Sequence, residues 1–329
     1  MFNRLPGGPV TLVILMILPV ITAGGQDNMN SDDSAAALLS RGDEMFGTRR
    51  YGESREIYMK AAEAAEKSGA NSDLTEALAQ VARTYLIEGQ QESGREWLER
   101  AAGVAGPEEP QGWSRFLGVR GRFEWKDDRL EKARETFAEM YDYCSAHELH
   151  ERAVDAAHMA AIVETPEMQV TWARKGIAEA EAGNMTGWLG PLWNNLGATF
   201  EDMEKYPEAL EAYLSAREYH WRYGDEMNKL IADWAVGHAY RLTGQFEKAA
   251  EWIRPVLAWS RRIKADEFTG WSYKELAEIE LAGKNHKEAH ESMKMAAEYL
   301  GKADMPDWDA EGYREILDRI KKLEEKIRD

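Results

Sequence analysis

Cysteine is nearly absent from this chain: Cys144 is the only one in 329 residues. A single thiol cannot form an internal disulfide, so packing alone must stabilise the fold even in an oxidising compartment. Signals for β-strands are also lacking, because the apolar residues follow helical spacing and Ala, Glu, Leu, Arg and Lys dominate the composition. The sequence therefore predicts an all-α protein without disulfides.

The motifs of common enzymes and nucleotide-binding proteins are missing as well. The chain has no G-x-S-x-G elbow, no G-x-x-x-x-G-K-[ST] loop and no G-x-G-x-x-G segment after a strand. Cys144 has no basic residue beside it that would activate the thiol, since its neighbours are Tyr143 and Ser145. We therefore expect a non-catalytic protein that carries no cofactor.

A hydrophobic run of membrane-spanning length is also absent. The run Val10–Ile21 covers 12 residues and contains Pro19, whereas a transmembrane helix needs about 20 residues. Arg4 precedes this run and small residues follow it from Ala23 onward, as in a secretory signal peptide. We predict a signal peptide over residues 1–23, a flexible polar linker over residues 24–33, and a periplasmic or extracellular protein with no stable membrane insertion after cleavage. The alternative is an uncleaved membrane anchor.

Basic residues are outnumbered by acidic ones, and the formal net charge is −18. Without residues 1–23, which contain Arg4 as their one charged residue, the chain has 40 basic and 59 acidic residues and a net charge of −19. A negative field of this size disfavours nonspecific binding to nucleic acids and to anionic membranes. An excess of Glu is also typical of ordinary solvated helix faces. The net charge therefore argues against nucleic acids and anionic membranes as partners, and it does not identify the actual partner.

What the chain does contain is one pattern that recurs seven times. It is clearest at Trp193-x-x-Leu196-Gly197-x-x-Phe200, followed by Ala209 and Tyr213. The small residue recurs at steps of 40, 39, 40, 36, 40 and 40 residues, at Gly42, Ala82, Gly121, Ala161, Gly197, Gly237 and Ala277. The positions that correspond to Ala209 and Tyr213 keep the same register in all seven copies. We interpret each copy as two packed helices, with Gly197 facing Ala209 so that the two backbones approach closely.

This pattern resembles the tetratricopeptide repeat, a helix–turn–helix unit with the signature W-x2-L-G-x2-Y followed by A-x3-F. The resemblance implies a right-handed superhelical solenoid of about seven repeats over residues 34–301. The repeats are expected at residues 35–70, 72–106, 111–148, 149–183, 186–224, 225–265 and 266–301. The amphipathic segment 308–328 is expected to form a helix that caps the C-terminal end, since terminal units of a solenoid need a polar outer surface.

Most copies are longer than the family's repeat of about 34 residues. Because the interval from the small residue to the second helix is fixed, the surplus must lie between one repeat and the next, which predicts longer helices. Glycines follow four of the predicted first helices, where a left-handed residue would end the helix: Gly47, Gly89, Gly244 and Gly283. The elongated repeats are similar to those of kinesin light chains and of bacterial peptide-sensing regulators, which implies a peptide-binding groove.

The resemblance also implies which residues line the concave groove: positions two, five, nine, twelve and thirteen of each first helix, with the small residue as position eight. These positions hold six Lys or Arg and six Asp or Glu residues. Aromatic residues combined with arginine are typical of binding hot spots. We therefore predict that a peptide or protein partner binds at Arg83, Arg115, Arg122, Trp125, Lys126, Asn194, Trp234, His238, Arg241, Trp271 and Lys274. If they line a ligand surface, Trp125, Trp234, Trp271, Arg122 and Arg241 should be substantially exposed.

Two other functions remain open at this point. The first is a structural assembly protein that oligomerises through its convex face or its terminal helix. The second is a metal-dependent hydrolase, because His286 and His290 have the i, i+4 spacing of a metal-binding pair. No third ligand is visible near them, and His147 and His150 also lack one. Surface histidines explain both pairs better than a metal site does, so we predict no metal site.

Overall fold

The computed structural model describes residues 33–328, and within that range it contains sixteen α-helices and no strand. The first eight helices are α1 (Ala35–Gly47), α2 (Tyr51–Ser68), α3 (Asn71–Ile87), α4 (Gln91–Ala102), α5 (Pro110–Lys126), α6 (Leu130–Ala146), α7 (His150–Val163) and α8 (Pro166–Ala182). The others are α9 (Thr186–Asp202), α10 (Tyr206–Tyr223), α11 (Glu226–Leu242), α12 (Phe246–Arg262), α13 (Asp266–Ala282), α14 (His286–Lys302), α15 (Met305–Trp308) and α16 (Ala310–Arg328).

The prediction of an all-α chain of paired helices is confirmed. Each predicted repeat contains two of the helices, an odd-numbered first helix and an even-numbered second helix. Most helices have 17 or 18 residues, and α2 and α3 are separated only by residues 69–70, so the extra length of the repeats lies in the helices. The predicted signal peptide and all but the last residue of the predicted linker lie outside the described residues. No helix among residues 33–328 is long and apolar enough to cross a membrane.

The described residues fall into two compact units. The N-terminal unit ends at Trp188 and the C-terminal unit begins at Leu189, within α9. Each unit has its own core. Tyr58, Leu117 and Phe123 are among the largest fully buried side chains of the N-terminal unit, and Leu230 and Ile253 are among those of the C-terminal unit. Burial of this apolar surface is the main term that stabilises each unit.

The small residue of each repeat makes room for a large side chain of the second helix. A Cβ atom on Gly197 would lie 2.7 Å from two ring atoms of Tyr213, which is closer than non-bonded carbons approach. Gly121 faces the ring of Phe137 in the same way. The position of Ala209 faces the small residue in other repeats, as expected: a Cβ atom on Gly94 would lie 3.0 Å from the carbonyl oxygen of Ala82, and Ser54 Oγ donates to the carbonyl of Gly42 at 3.0 Å.

The turn between the two helices of a pair has a residue in the left-handed region. Seven residues after the small residue, φ is positive in six of the seven repeats, at Arg49, Gly89, Asp128, Glu204, Gly244 and Lys284. The predicted left-handed glycines are therefore confirmed at Gly89 and Gly244. They are wrong at Gly47, which belongs to α1, and at Gly283, because the left-handed residue comes later in those turns.

The C-terminal end differs slightly from the prediction. The expected helix over residues 308–328 begins at Ala310, and the short helix α15 precedes it. Asp304, with φ of 56°, lies just before α15, and Asp309 separates α15 from α16. Helix α16 packs on α14 through Ile316 and Leu323, which are buried. The hydroxyl of Tyr313 donates a hydrogen bond to the carbonyl of Ala297 at 3.1 Å.

Candidate functional site

All of the predicted groove residues lie on first helices, and each unit contains one group of them. The group in the N-terminal unit is Arg83 on α3 with Arg115, Arg122, Trp125 and Lys126 on α5. The group in the C-terminal unit is Asn194 on α9, Trp234, His238 and Arg241 on α11, and Trp271 and Lys274 on α13. Whether a partner binds them stays a prediction.

Arg115 binds carboxylates of neighbouring first helices. Its Nε donates to Glu76 Oε1 on α3 at 3.1 Å, and its Nη2 lies 3.8 Å from Asp43 Oδ2 on α1. Arg152 of α7 donates to the same oxygen of Glu76. Burial raises the pKa of Glu76, but the charges of Arg152 and Arg115 outweigh burial and hold that pKa below its ordinary value. Arg115 is thus engaged by the protein itself.

Arg122 is paired in the same way with the next first helix. Its Nη2 donates to Asp155 Oδ1 on α7 at 2.6 Å, and its Nη1 donates to the carbonyl of Gly118 at 2.9 Å. Burial raises the pKa of Asp155, yet the positive charges of Arg122 and Arg83 keep it well below its ordinary value. Burial also lowers the pKa of His158 to about 4, so that imidazole is neutral at pH 7.

Arg83 differs from Arg115 and Arg122, the other two arginines of this group. Among the described residues it has no hydrogen bond and no ion pair, and its Nε is buried without a partner. Its guanidinium carbon lies 4.5 Å from the ring centroid of Phe46, which is a cation–π contact. Burial and the repulsion of Arg122 lower the pKa of Arg83 to about 9. The side chain therefore carries a charge at pH 7 without a bonded counter-ion.

Trp125 and Lys126 lie together at the end of α5. Trp125 is half-buried and packs against the apolar cluster around Phe137, while Lys126 is exposed. The Lys126 ammonium lies 5.6 Å from the centroid of the Trp125 ring. Partial burial of Trp125 leaves part of the ring accessible to a partner.

The expected exposure of the tryptophans in the C-terminal unit is wrong. Trp234 is only 2% exposed and Trp271 only 7% exposed. The Trp234 ring stacks on His238 at 4.9 Å and meets Phe268 of α13 edge-on at 6.0 Å. A side chain at position five is thus covered by the first helix of the next repeat. Trp271 donates to Glu267 on its own helix, and Lys274 lies over its ring at 5.2 Å.

His238 and Arg241 form a buried ion network, so their exposure is also small. His238 Nε2 lies 2.9 Å from Glu201 Oε1 on α9, and His238 Nδ1 lies 3.0 Å from Glu275 Oε1 on α13. Arg241 Nε donates to Glu275 Oε2 at 2.5 Å. Burial lowers the pKa of His238, but Glu275 and Glu201 outweigh it and raise that pKa to about 9. The imidazole is therefore a cation at pH 7.

Glu275 is the centre of this network and is 1% exposed. Burial raises its pKa, but the positive charges of His238 and Arg241 hold it well below the ordinary value. Asn194, which belongs to the same unit, is buried too, and its Oδ1 has no hydrogen-bond donor among the described residues. The sequence-predicted residues of this unit are thus mostly internal contacts between first helices.

An open pocket lies beside the network in the C-terminal unit. Its volume is about 470 Å³, and its apolar walls include Tyr206, Phe246 and Leu281. Arg241 lines the pocket together with Arg319 of α16. Arg319 forms an ion pair with Glu278 of α13, with Nη1 2.6 Å from Oε1. Charges near the pocket are therefore balanced in pairs.

Sequence reasoning missed the acidic partners and the contribution of α16. A usable signal was present, because the pairs join opposite charges on neighbouring first helices about one repeat apart. Arg122 and Asp155 are 33 residues apart, and Glu201 and His238 are 37 apart. Arg319 and Glu278, 41 residues apart, follow the same rule. Looking for such charge pairs would also have placed α16 beside α13.

Most of the remaining chemical candidates have ordinary partners, although the buried Nδ1 of His286 has no hydrogen-bond partner among the described residues. His290 lies near Glu291 and near Glu324 of α16, and no group of three or more His, Cys, Asp or Glu within residues 33–328 is arranged to hold a metal ion. His150 Nδ1 lies 2.7 Å from Glu179 Oε1, and the His147 ring stacks on the ring of Tyr143. Cys144 is buried, and burial raises the pKa of its thiol to about 12.

Comparisons with known proteins find no matching family model and no matching curated protein. Solved structures do match. A Pyrococcus horikoshii signal-transduction ATPase with a tetratricopeptide repeat sensor gives a TM-score of 0.63 at 15% identity, over 88% of this chain and 50% of that chain. The C-terminal part of a repeat-containing protein from Cytophaga hutchinsonii gives 0.55 at 12% identity, over 85% and 99%. The apo form of RapI gives 0.52 at 13% identity, over 82% and 98%. The described chain therefore has the helical repeat fold of the tetratricopeptide type.

Proposed function

We propose that this protein is an exported, non-catalytic scaffold that binds a peptide or protein segment at the open pocket of its C-terminal unit. The observation that carries the proposal is this pocket, which is lined by the first residues of α10 and α12, the last residues of α11 and α13, and α16. Its volume falls in the range of ligand-binding pockets, roughly 300–1,000 Å³. The buried faces of Trp234 and Trp271 are not available to a partner, so the pocket replaces them as the expected anchor point.

The chemistry of the pocket favours an apolar side chain of the partner. Tyr206, Phe246 and Leu281 provide apolar contact, and aromatic residues near arginines are frequent in binding hot spots. Arg241 and Arg319 are already paired with Glu275 and Glu278, so neither offers a free charge to the ligand. We therefore expect a segment with an aromatic or large aliphatic residue, bound without a covalent step.

The test blocks the pocket without touching the core. Ala282 is exposed at the end of α13 and lines the pocket, so Ala282→Trp should fill it. Ala258 is exposed on α12 and does not line the pocket, so Ala258→Trp is the matched control. Partners captured from a periplasmic extract should be retained by the wild type and by the control and lost with Ala282→Trp. Equal capture by all three proteins would exclude the pocket.

Assembly is the second candidate, and exposed aromatic residues favour it. Trp221 is 43% exposed and Tyr223 is 49% exposed, both near the end of α10. Exposed apolar patches often mark protein contacts. In this case light scattering should report an oligomer that Trp221→Ser dissociates and that Ala282→Trp leaves intact. A monomer at all accessible concentrations would exclude assembly.

A further inference from the structure

The first helices of the N-terminal unit hold a cluster of seven charged residues with one more cation than anions. The arginines are Arg83, Arg115, Arg122 and Arg152, and the carboxylates are Asp43, Glu76 and Asp155. Three of the arginines are bonded to these carboxylates, and Arg83 is bonded to none of them.

The repeat register explains why Arg83 has no carboxylate partner. Arg83 and Arg122 both stand one residue after the small residue of their repeats, and Arg122 pairs with Asp155 on the next first helix. The residue of α5 that corresponds to Asp155 is Arg115, a like charge. Arg115 in turn binds Glu76 and Asp43, which belong to α3 and α1. The fold thus places a cation opposite Arg83 where Arg122 has a carboxylate.

The free end of Arg83 is available to an outside group. The side chain is half-buried, and its Nε atom is enclosed, whereas the two Nη atoms bond to no described residue. The contact with the Phe46 ring holds the guanidinium plane in place at 4.5 Å. A guanidinium fixed in this way presents two parallel N–H donors, which match the two oxygens of a carboxylate.

We propose that Arg83 is a binding site for one carboxylate group, from an acidic side chain of a bound peptide or from a small carboxylic acid. Binding would supply the counter-ion that Arg83 lacks, because Arg115 stands at the position where Asp155 stands in the next repeat pair. Arg122 and Arg115 would add to the attraction through space, while their own bonds to Asp155 and Glu76 remain in place. This site lies in the N-terminal unit and is separate from the pocket on which the proposed function depends.

The first arm of the test asks whether Arg83 is only structural. Arg83→Gln removes a charge that has no bonded counter-ion and that is repelled by Arg122, so its melting temperature should equal or exceed that of the wild type. Arg115→Gln breaks the contacts with the partly buried Glu76 and with Asp43 and should lower the melting temperature clearly. If Arg83→Gln lowers the melting temperature as much as Arg115→Gln does, Arg83 stabilises the fold and the proposal is wrong.

The second arm measures binding by calorimetry with three probes: an acetylated tetraglutamate amide, the matching tetraglutamine amide and glutarate. Arg83→Gln should weaken carboxylate binding about tenfold or more, the usual effect of losing a charged hydrogen bond. Arg120→Gln is the matched control, because Arg120 is on α5 but pairs with Glu139 of α6. Tetraglutamine should not bind.

The two carboxylate probes separate the possible sources. Binding of tetraglutamate that requires Arg83 supports a peptide side chain, and binding of glutarate alone supports a small acid. Unchanged binding by Arg83→Gln, or no binding of either carboxylate probe to the wild type, overturns the proposal. Ala282→Trp should leave this binding intact, so a failure of the pocket and a failure of the Arg83 site give different results.

Discussion

Side chains at the same repeat position have different environments in this chain. Arg83, Arg122 and His238 all stand one residue after the small residue of their repeats. Arg83 has no bonded partner, Arg122 has one carboxylate partner, and His238 lies between two. The difference arises from the residue that the next first helix presents, because the energy of a buried charge depends mainly on whether a counter-ion is bonded to it.

Trp234→Ala should destabilise the C-terminal unit strongly. The ring is buried between His238 and Phe268, so its loss leaves a cavity, and large-to-small core changes of this kind cost about 3–5 kcal/mol. Urea unfolding followed by circular dichroism measures the change. Trp259→Ala, at a half-buried ring near the surface of α12, is the comparison and should cost clearly less. A near-neutral Trp234→Ala would mean that the ring is accessible after all.

The stability of the C-terminal unit should fall between pH 6.5 and pH 9. The pKa of His238 is raised from 6.5 to about 9, so the folded protein holds a proton that the unfolded chain releases earlier. The stabilisation is complete below pH 6.5 and is lost as the pH rises through 9, and by linkage it amounts to roughly 3 kcal/mol. Unfolding free energies measured across this range provide the test.

His238→Gln is the control for this pH dependence. Glutamine cannot take up the proton, so the variant should be less stable than the wild type at pH 6 and should show a flatter profile up to pH 9. His158 and His220, whose pKa values are lowered by burial, do not disturb the comparison, because both proteins contain them. Identical slopes for the two proteins would show that His238 is not the titrating group.

At the scale of the helices, the repeat is defined by a small residue of the first helix, a large side chain of the second helix that covers it, and a left-handed residue between them. Glycine fills the left-handed position at Gly89 and Gly244, whereas Arg49, Asp128, Glu204 and Lys284 adopt positive φ with a side chain. Left-handed backbone is unfavourable for residues with a Cβ atom. These turns are therefore maintained by the packing of the two helices that they join.

Lys284→Gly should stabilise the protein. Glycine adopts the left-handed conformation at φ of 60° without the steric cost that a Cβ atom brings. Because glycine also loses more chain entropy on folding, the net gain in stability should be only about 0.5–1 kcal/mol. Gly244→Lys, at the equivalent turn with φ of 75°, is the reverse change and should destabilise by a similar amount. Thermal melting of both variants gives the direction of each stability change. A change in the same direction for both would contradict the assignment of residues 244 and 284 to equivalent left-handed turns.

Gly197→Leu should damage the helix pair in which it lies. The new side chain would clash with the Tyr213 ring, and overpacking of a core typically costs about 1–3 kcal/mol. Gly52→Leu is the matched control, because a Cβ atom on Gly52 would meet nothing within 4 Å. Thermal melting should show a lower midpoint for Gly197→Leu and a nearly unchanged one for Gly52→Leu. An unchanged midpoint at Gly197 would mean that the register is wrong.

At the scale of the whole molecule, the sequence predicts what recurs and misses what differs between repeats. The helix pairs were predictable because the small residue and the large residue of the second helix keep one spacing seven times. The burial of Trp234 was not predictable in the same way. Whether a side chain at position five is exposed depends on the size of the side chain that the next first helix places over it, and here that side chain is Phe268. Arg319 was missed for a related reason: no repeat motif marks α16 as a neighbour of α13.

Export remains a prediction that concerns the entire chain. Expression of the full sequence in a bacterial host should yield a mature protein that begins near Gly24, because the short apolar run Val10–Ile21 contains Pro19 and is followed by small residues. N-terminal sequencing of the periplasmic fraction is the measurement. Recovery of the uncleaved chain from membranes would favour the anchored form.

The ion pairs between first helices have a consequence for how this gene can change. Removing residues 225–265, one repeat, would delete His238 and Arg241 and bring the carboxylates of Glu201 and Glu275 towards each other with no cation between them. Like charges at a buried Glu275 and a partly buried Glu201 are less stable than the present network. The repeats of the C-terminal unit are alike in shape, but their ion pairs join particular neighbours, so unequal recombination within this unit should produce less stable chains.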